Sequence, residues 1–147
     1  MLASHLQPGD CMTEFRSDPI VGEIIGVAIE VHHVLGPGLL ESTYKNCVSY
    51  ELVNKGIRFE REVSVPVIYK DTRLDCGYRL DLLADEDDIV EVKSVEKLLP
   101  IHTAQVMTYL RLTGARHALL MNFNGLTLKE GLRSFVGKGK LVPGSDG

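Results

Sequence analysis

The chain has 147 residues, 44% of them hydrophobic and 24% charged, and its formal net charge is −4. This length fits one domain that can bury a core without disulfides, and the composition excludes a disordered or fibrous chain. No apolar run reaches the roughly 20 residues that a membrane-spanning helix needs, and the first residues lack the pattern of a signal peptide, so we expect a cytoplasmic protein. The acidic balance excludes a broadly basic nucleic-acid binder, so any phosphate-binding surface must be local.

The three cysteines, Cys11, Cys47 and Cys76, are odd in number and widely spaced. They form no CxxC pair and have no histidine at the spacing of a zinc finger. This pattern argues against a disulfide framework or a zinc knuckle, so we expect three reduced thiols.

Two amphipathic helices are predicted in the first third of the chain. Asp18 followed by Pro19 has the form of an N-cap and a first-turn proline, and apolar residues then recur at helical spacing up to Gly36-Pro37-Gly38. A second apolar stripe follows in LLESTYKNCVSYELVNKG, where Gly56 stands at the position of a left-handed C-terminal cap. The residues of this second stripe are Leu40, Tyr44, Cys47, Val48 and Leu52.

The middle of the chain changes to a period typical of strands. The segments EVSVPVIY, GYRLDLLA and DIVEVKSV are rich in β-branched and apolar residues and are separated by turn-forming segments, which predicts three consecutive antiparallel strands. Pro66 in the first segment indicates an edge strand or a bulge.

A helix that begins at Pro100 and ends at Gly114 is predicted next, followed by RHALLMNF as a buried strand, whereas LTLKEGLRSFV is ambiguous. The order α-α-β-β-β-α-β predicts an α/β fold, a mixed sheet flanked by helices. We expect residues 1–17 to form a flexible extension, residues 18–136 a single domain and residues 137–147 a flexible tail.

Three charged side chains of the predicted sheet fall close together. Glu91 and Lys93 lie two residues apart on one strand and therefore share a face. A three-residue turn at residues 85–87 would place Asp81 of the preceding strand opposite Glu91, although a slip of one residue would turn Asp81 to the other face. Two adjacent carboxylates repel each other unless a hard cation such as Mg²⁺ neutralises them, and a nearby ammonium can act on a metal-bound water.

These charges also have a plain structural explanation, since Asp81, Glu91 and Lys93 would be ordinary on a solvated sheet face. A motif as short as D…ExK recurs freely in unrelated proteins. The rest of the pattern has to decide between the two interpretations.

The chain contains GLLESTY, of the form GxxExxY, then Asp81, then Glu91-Val92-Lys93, and then QVMTY, of the form QxxxY. This order resembles the PD-(D/E)XK nuclease superfamily. The segments VHHVLGPGLLESTY, GYRLDLL, VEVKSVEKLLPIHTAQVMTYLRLTG and MNF are specifically similar to the bacterial GxxExxY protein family. The resemblance covers roughly residues 20 to 135 and implies the superfamily's core of mixed sheet and flanking helices. Leu80 stands where the superfamily's label has a proline.

The resemblance also implies a Mg²⁺ site, with Mn²⁺ as a substitute. Asp81, Glu91 and the backbone of Val92 would hold the metal, Lys93 would act on the attacking water, and Glu41 would complete the outer metal shell. Glu41 is equally explained as a first-turn glutamate that is favourable to the helix dipole.

Three side chains of the third helix share one face, because His102, Gln105 and Tyr109 follow one another at spacings of three and four. In similar RecB-like proteins, the QxxxY pair contacts the substrate and supports the active centre. The resemblance therefore implies that Gln105 and Tyr109 have catalytic and substrate-binding roles, and we expect His102 beside them to bind the substrate.

The function that follows is a metal-dependent nuclease acting on nucleic acid, with DNA favoured over RNA. Two alternatives remain open. The chain could be a binding module that keeps the nuclease fold and grips nucleic acid or a protein partner without cutting, or a homo-oligomer such as a dimer whose strand-face charges pair across subunits.

Overall fold

A computed structural model describes residues 18–138 of the chain. Its centre is a five-stranded mixed sheet, whose strands lie side by side in the order β1 (Phe59–Ser64), β4 (Arg79–Ala84), β5 (Asp88–Lys93), β6 (His117–Asn122) and β7 (Leu132–Val136). The pairs are antiparallel except β5 with β6, which run parallel because helix α3 (Pro100–Thr113) connects them. The α/β fold is the expected one. No helix within residues 18–138 combines the length and the apolar character needed to cross a membrane.

The three helices of residues 18–138 begin and end close to the predicted positions. Helix α1 spans Pro19–Leu35, and the Asp18 carboxylate accepts from the amides of Ile20 and Val21, as an N-cap should. Helix α2 spans Glu41–Asn54, and Gly56 has a φ of 72°, the left-handed conformation predicted for it. Helix α3 spans Pro100–Thr113 and ends at Gly114 in the left-handed conformation.

The part of the chain that the structure describes has seven strands, β1 (Phe59–Ser64), β2 (Val67–Tyr69), β3 (Thr72–Leu74), β4 (Arg79–Ala84), β5 (Asp88–Lys93), β6 (His117–Asn122) and β7 (Leu132–Val136). Strands β2 and β3 form a separate two-stranded hairpin. A short 3₁₀ turn, Lys129–Gly131, precedes β7.

The sheet has one apolar cluster on each face. On one face, Val90 and Val92 of β5 join α1 and α2 in a cluster that includes Ile24 and Leu52. On the other face, Ile89 joins the apolar residues of α3. Because alternate residues of a strand point to opposite faces, Glu91 lies on the α3 face with Ile89.

Three predictions need correction. The segment EVSVPVIY is not one strand, because the chain leaves the main sheet after β1 and Pro66 precedes the hairpin strand β2. The predicted order therefore lacked β2 and β3 as separate strands, and it lacked β7. Leu40 is not part of the buried stripe of α2, since it precedes the helix and is 73% exposed.

Some predictions fall partly outside the described residues. The expected extension at residues 1–17 and residues 139–147 of the expected tail lie there, as does Cys11. Cys47 and Cys76 are free thiols.

Candidate active site at the β4–β5 pair

The side chains of Asp81 and Glu91 each accept a hydrogen bond from the backbone of the neighbouring strand where β4 and β5 pair. The pairs Leu82–Val90 and Ala84–Asp88 set the register, and its continuation puts Asp81 opposite Glu91, as predicted from the three-residue turn. The Asp81 amide donates to Glu91 Oε1 at 2.9 Å, and the Val92 amide donates to Asp81 Oδ2 at 2.8 Å. The two carboxylates are thus held at neighbouring backbone positions by reciprocal hydrogen bonds.

The acidic pair is electrostatically strained. Glu91 is 3% exposed, so it is not a solvated charge of the sheet face. Burial raises the pKa of Glu91 to about 8, the negative charge of Asp81 adds to the increase, and the positive charge of Lys93 opposes it. A buried carboxylate beside a second one needs either a proton or a cation to be stable.

Helix α3 brings Tyr109 to this pair. Tyr109 is 4% exposed, and burial raises the pKa of its hydroxyl, with the charges of Glu91 and Asp81 adding to the effect. The Tyr78 ring meets the Tyr109 ring edge-on, with centroids 6.4 Å apart. Tyr109 is therefore an aromatic side chain that faces the acidic pair, held in place from a second side.

Helix α2 brings a lysine that the sequence analysis did not identify. Lys45 Nζ donates to Asp81 Oδ1 at 3.1 Å and to Glu62 Oε1 at 2.7 Å. Burial disfavours the charge on Lys45, but the bonds to Glu62 and Asp81 outweigh it, so the pKa of Lys45 is raised. Lys45 lies four residues after Glu41 and therefore on the same helix face. Its spacing from this candidate glutamate was the signal that could have identified it.

Glu62 was also missed as a site residue. It belongs to β1 and lies between the pairs Arg61–Leu82 and Val63–Leu80, which puts it across from Asp81. The acidic residues of β1, β4 and β5 therefore stand in one row across three strands. The signal in the sequence was a carboxylate at the start of the segment EVSVPVIY.

A sequence profile of the PD-(D/E)XK nuclease superfamily matches residues 18–135. The chain belongs to this superfamily. Members are generally metal-dependent nucleases, and the sheet with its flanking helices has the superfamily's restriction-endonuclease-like fold. Comparison with curated proteins and with solved structures gave no significant match.

The other residues of the PD-(D/E)XK pattern differ in how directly they are connected to the acidic pair. Lys93 is half-buried and its charge acts on Glu91. Glu41 is half-buried in the first turn of α2 and shares a helix face with Lys45, which touches Asp81. Among residues 18–138, no third acidic, His or Cys side chain joins Asp81 and Glu91 as closely as a shared ion would need.

Gln105 of α3 is half-buried, and its side chain forms no hydrogen bond within residues 18–138. His102, on the same helix, has a structural role. His102 Nδ1 accepts from the Leu99 amide at 2.9 Å, which caps the start of the helix. Because Nδ1 accepts this hydrogen bond, the proton of a neutral His102 lies on Nε2, the ring nitrogen that does not contact the Leu99 amide.

The tyrosine of GxxExxY organises the loop before α2. The Tyr44 ring stacks on Phe123, and its hydroxyl donates to the Gly36 carbonyl and accepts from the Leu39 amide. Ser94 Oγ, just after β5, donates to the Leu39 carbonyl at 2.7 Å. These bonds tie the loop that precedes Glu41 to the strand that carries Glu91.

The donors of the β4–β5 site fit a divalent cation. Two neighbouring carboxylates supply the hard oxygen ligands that Mg²⁺ prefers, and a cation between them would oppose the effect of burial and of the Asp81 charge, which raise the pKa of Glu91. The superfamily's use of divalent metals therefore agrees with the chemistry of Asp81 and Glu91.

A separate group at the other end of β5 could also hold a metal ion. His117 Nδ1 lies 2.8 Å from Asp88 Oδ1 and 3.3 Å from Asp18 Oδ2, and the three ligand atoms lie within 4.8 Å of one another. Asp88 shares a strand face with Val90 rather than with Glu91, so this group is distinct from the acidic pair. Its hydrogen bonds fasten the start of α1 to β5 and β6.

Proposed function

We propose that this chain is a Mg²⁺-dependent nuclease of the GxxExxY protein family, with Mn²⁺ as a substitute and DNA as the preferred substrate over RNA. The observation that carries the proposal is the acidic pair. In this pair, the Asp81 side chain accepts a hydrogen bond from the backbone of β5, and the buried Glu91 side chain accepts one from the backbone of β4. Membership of the PD-(D/E)XK superfamily supports the same activity.

In this proposal, Asp81, Glu91 and the carbonyl of Val92 hold the metal, and Glu41 lies in its outer shell. A metal held there would neutralise the acidic pair and lower the pKa of the water that attacks the phosphodiester. Lys93, whose positive charge acts on Glu91, orients that water through Nζ and stabilises the negative charge that develops on it as its proton passes to solvent.

The face of α3 serves the substrate. Tyr109, which faces the acidic pair, positions the scissile phosphate with its hydroxyl, and Gln105 lies one helical turn before it. His102, the next residue on this stripe, contacts the nucleic acid through Nε2, because its Nδ1 already accepts from the Leu99 amide. The hydrolysis forms a bond between phosphorus and the water oxygen and breaks the bond from phosphorus to the leaving sugar oxygen.

The test is cleavage of labelled duplex DNA, single-stranded DNA, a flap and RNA with Mg²⁺ or Mn²⁺. Glu91→Gln and Lys93→Met should each lower the rate at least about 100-fold, because each removes a group that acts in the transition state. Glu86→Gln and Lys129→Met are matched controls at exposed positions. Their rates should equal that of the wild type, and circular dichroism should show that all four variants fold.

Absence of cleavage on all four substrates, together with absence of Mg²⁺ binding by calorimetry, would contradict the proposal. Cleavage that survives Glu91→Gln would remove the acidic pair from the mechanism. A rate on RNA above the rate on DNA would reverse only the substrate preference.

One observation favours the alternative of a module that binds without cutting. Both oxygens of Asp81 have protein donors, the Val92 amide and Lys45 Nζ, so the acidic residue is satisfied without a cation. In that case, affinity for nucleic acid should fall as salt rises, since phosphate contacts release counterions, and Glu91→Gln should leave the affinity unchanged.

A further inference from the structure

The two oxygens of Asp81 are held in different ways. Oδ2 accepts from the backbone amide of Val92, which is fixed by the strand, whereas Oδ1 accepts from Lys45 Nζ, the end of a flexible side chain. Only Oδ1 can therefore lose its partner without a change in the sheet.

Lys45 already has a second partner outside the acidic pair. Its Nζ lies closer to Glu62 Oε1, at 2.7 Å, than to Asp81 Oδ1, at 3.1 Å. The Glu62 side chain is 49% exposed, whereas those of Lys45 and Asp81 are 13% exposed. A small rotation of the lysine toward Glu62 would keep its charge paired and bring it nearer to solvent.

The backbone of Glu62 is also unusual. Its φ is 53° in the middle of β1, a left-handed conformation that a non-glycine residue rarely adopts in a strand. Such strained positions persist when the surroundings hold them, and they occur often at functional sites. The strain adds a second indication that Glu62 is placed for its contact with Lys45.

We propose that Lys45 is an exchangeable internal cation of the acidic site, with Glu62 as its alternative anchor. Lys45 holds Asp81 when no divalent cation is bound, and it withdraws to Glu62 when Asp81 becomes a metal ligand. An ammonium left on the same carboxylate would repel the incoming cation. The inference rests on the proposed function, because it concerns how the same site accepts its metal.

This role predicts changes of opposite sign at the two residues. Lys45→Met removes a competing positive charge, so the affinity for Mg²⁺ or Mn²⁺ should rise by roughly tenfold. Glu62→Gln removes the alternative anchor, so Lys45 should remain on Asp81 and the affinity should fall by roughly threefold. If Glu62 acts through Lys45, Glu62→Gln should have no effect in the Lys45→Met background.

The experiment measures Mn²⁺ binding by the full chain with electron paramagnetic resonance, and Mg²⁺ binding with calorimetry, without nucleic acid. Lys55→Met and Glu60→Gln are matched controls, since they make the same charge changes at exposed positions directly after α2 and on β1. Lys45→Gln replaces Lys45→Met if the methionine variant does not fold, as judged by thermal unfolding.

A fall in affinity for Lys45→Met would overturn the inference, because it would mean that Lys45 only positions Asp81 for the metal. An equal loss for Glu62→Gln in both backgrounds would also overturn it, because Glu62 would then act on the metal directly. Asp81→Asn separates this inference from the proposed function. If Asp81→Asn leaves cation binding unchanged, the proposed metal site itself is wrong. If Asp81→Asn abolishes cation binding, the metal site is supported, and the Lys45 and Glu62 variants decide the inference.

Discussion

Removing the hydroxyl of Tyr44 tests how the GxxExxY segment is built. Tyr44 is fully buried, with its ring stacked on Phe123 at a centroid distance of 4.7 Å. Its hydroxyl donates to the Gly36 carbonyl at 2.5 Å and accepts from the Leu39 amide at 3.2 Å. Tyr44→Phe keeps the stacked ring and deletes only these two bonds.

The expected loss of stability follows from what the two partners do afterwards. A buried group left without a hydrogen bond costs about 1–3 kcal/mol. Leu39 is 40% exposed, so water can replace part of its lost bond, whereas the half-buried Gly36 carbonyl is less accessible. We therefore expect Tyr44→Phe to lower the free energy of unfolding by about 2 kcal/mol, the middle of that range.

The assay is urea unfolding followed by circular dichroism, with the midpoint and slope fitted for each variant. Tyr50→Phe is the matched control, since Tyr50 lies on the same helix and is 65% exposed. It should change the free energy of unfolding by no more than about 0.5 kcal/mol. If Tyr44→Phe were as stable as Tyr50→Phe, the two bonds would not stabilise the loop and the reasoning would be wrong.

Two further predictions concern the sheet and the segment after it. Burial raises the pKa of Asp88 from 3.8 to about 6, so the folded chain binds more protons than the unfolded chain between these values, and the contribution of this group to stability falls as pH rises through that window. Asp88→Asn should remove about 2 kcal/mol of the change between pH 4 and pH 7, measured by urea unfolding; an unchanged pH slope would contradict it. Asn122 accepts from the Val95 amide and donates to the Val95 carbonyl, so Asn122→Ala should cost about 2 kcal/mol and speed hydrogen exchange at Val95, and unaltered exchange would refute this.

The features that could be predicted from the sequence are those set by local chemistry. Asp18 before α1 and Pro19 at its first position determine where that helix begins, and Gly114 determines where α3 ends. The turn of three residues between β4 and β5 fixes the register, and with it the meeting of Asp81 and Glu91. Both depend on residues that are close in the chain.

The features that were missed depend on contacts between distant segments. The alternation in EVSVPVIY continues through Pro66, so period alone does not show that the chain leaves the sheet there. Strand β7 gains its hydrogen bonds only by pairing with β6. Lys45 reaches Asp81 because of how α2 packs on the sheet, and that rotation is set by the apolar cluster rather than by the helix's own sequence.

The burial of Glu91 decides between the two interpretations of the charged strand. A solvated sheet face would leave the pKa of a glutamate near its ordinary value, whereas burial and Asp81 raise that of Glu91 from 4.5 to about 8. Such a shift corresponds to about 5 kcal/mol against ionising the group, a cost that an apolar residue at this position would avoid. Hydrogen bonding to the Asp81 amide does not require a carboxylate, because a glutamine oxygen could accept the same bond. A buried acidic group beside a second carboxylate is therefore not explained by the stability of the strand, and this is why the proposed function assigns a cation to it.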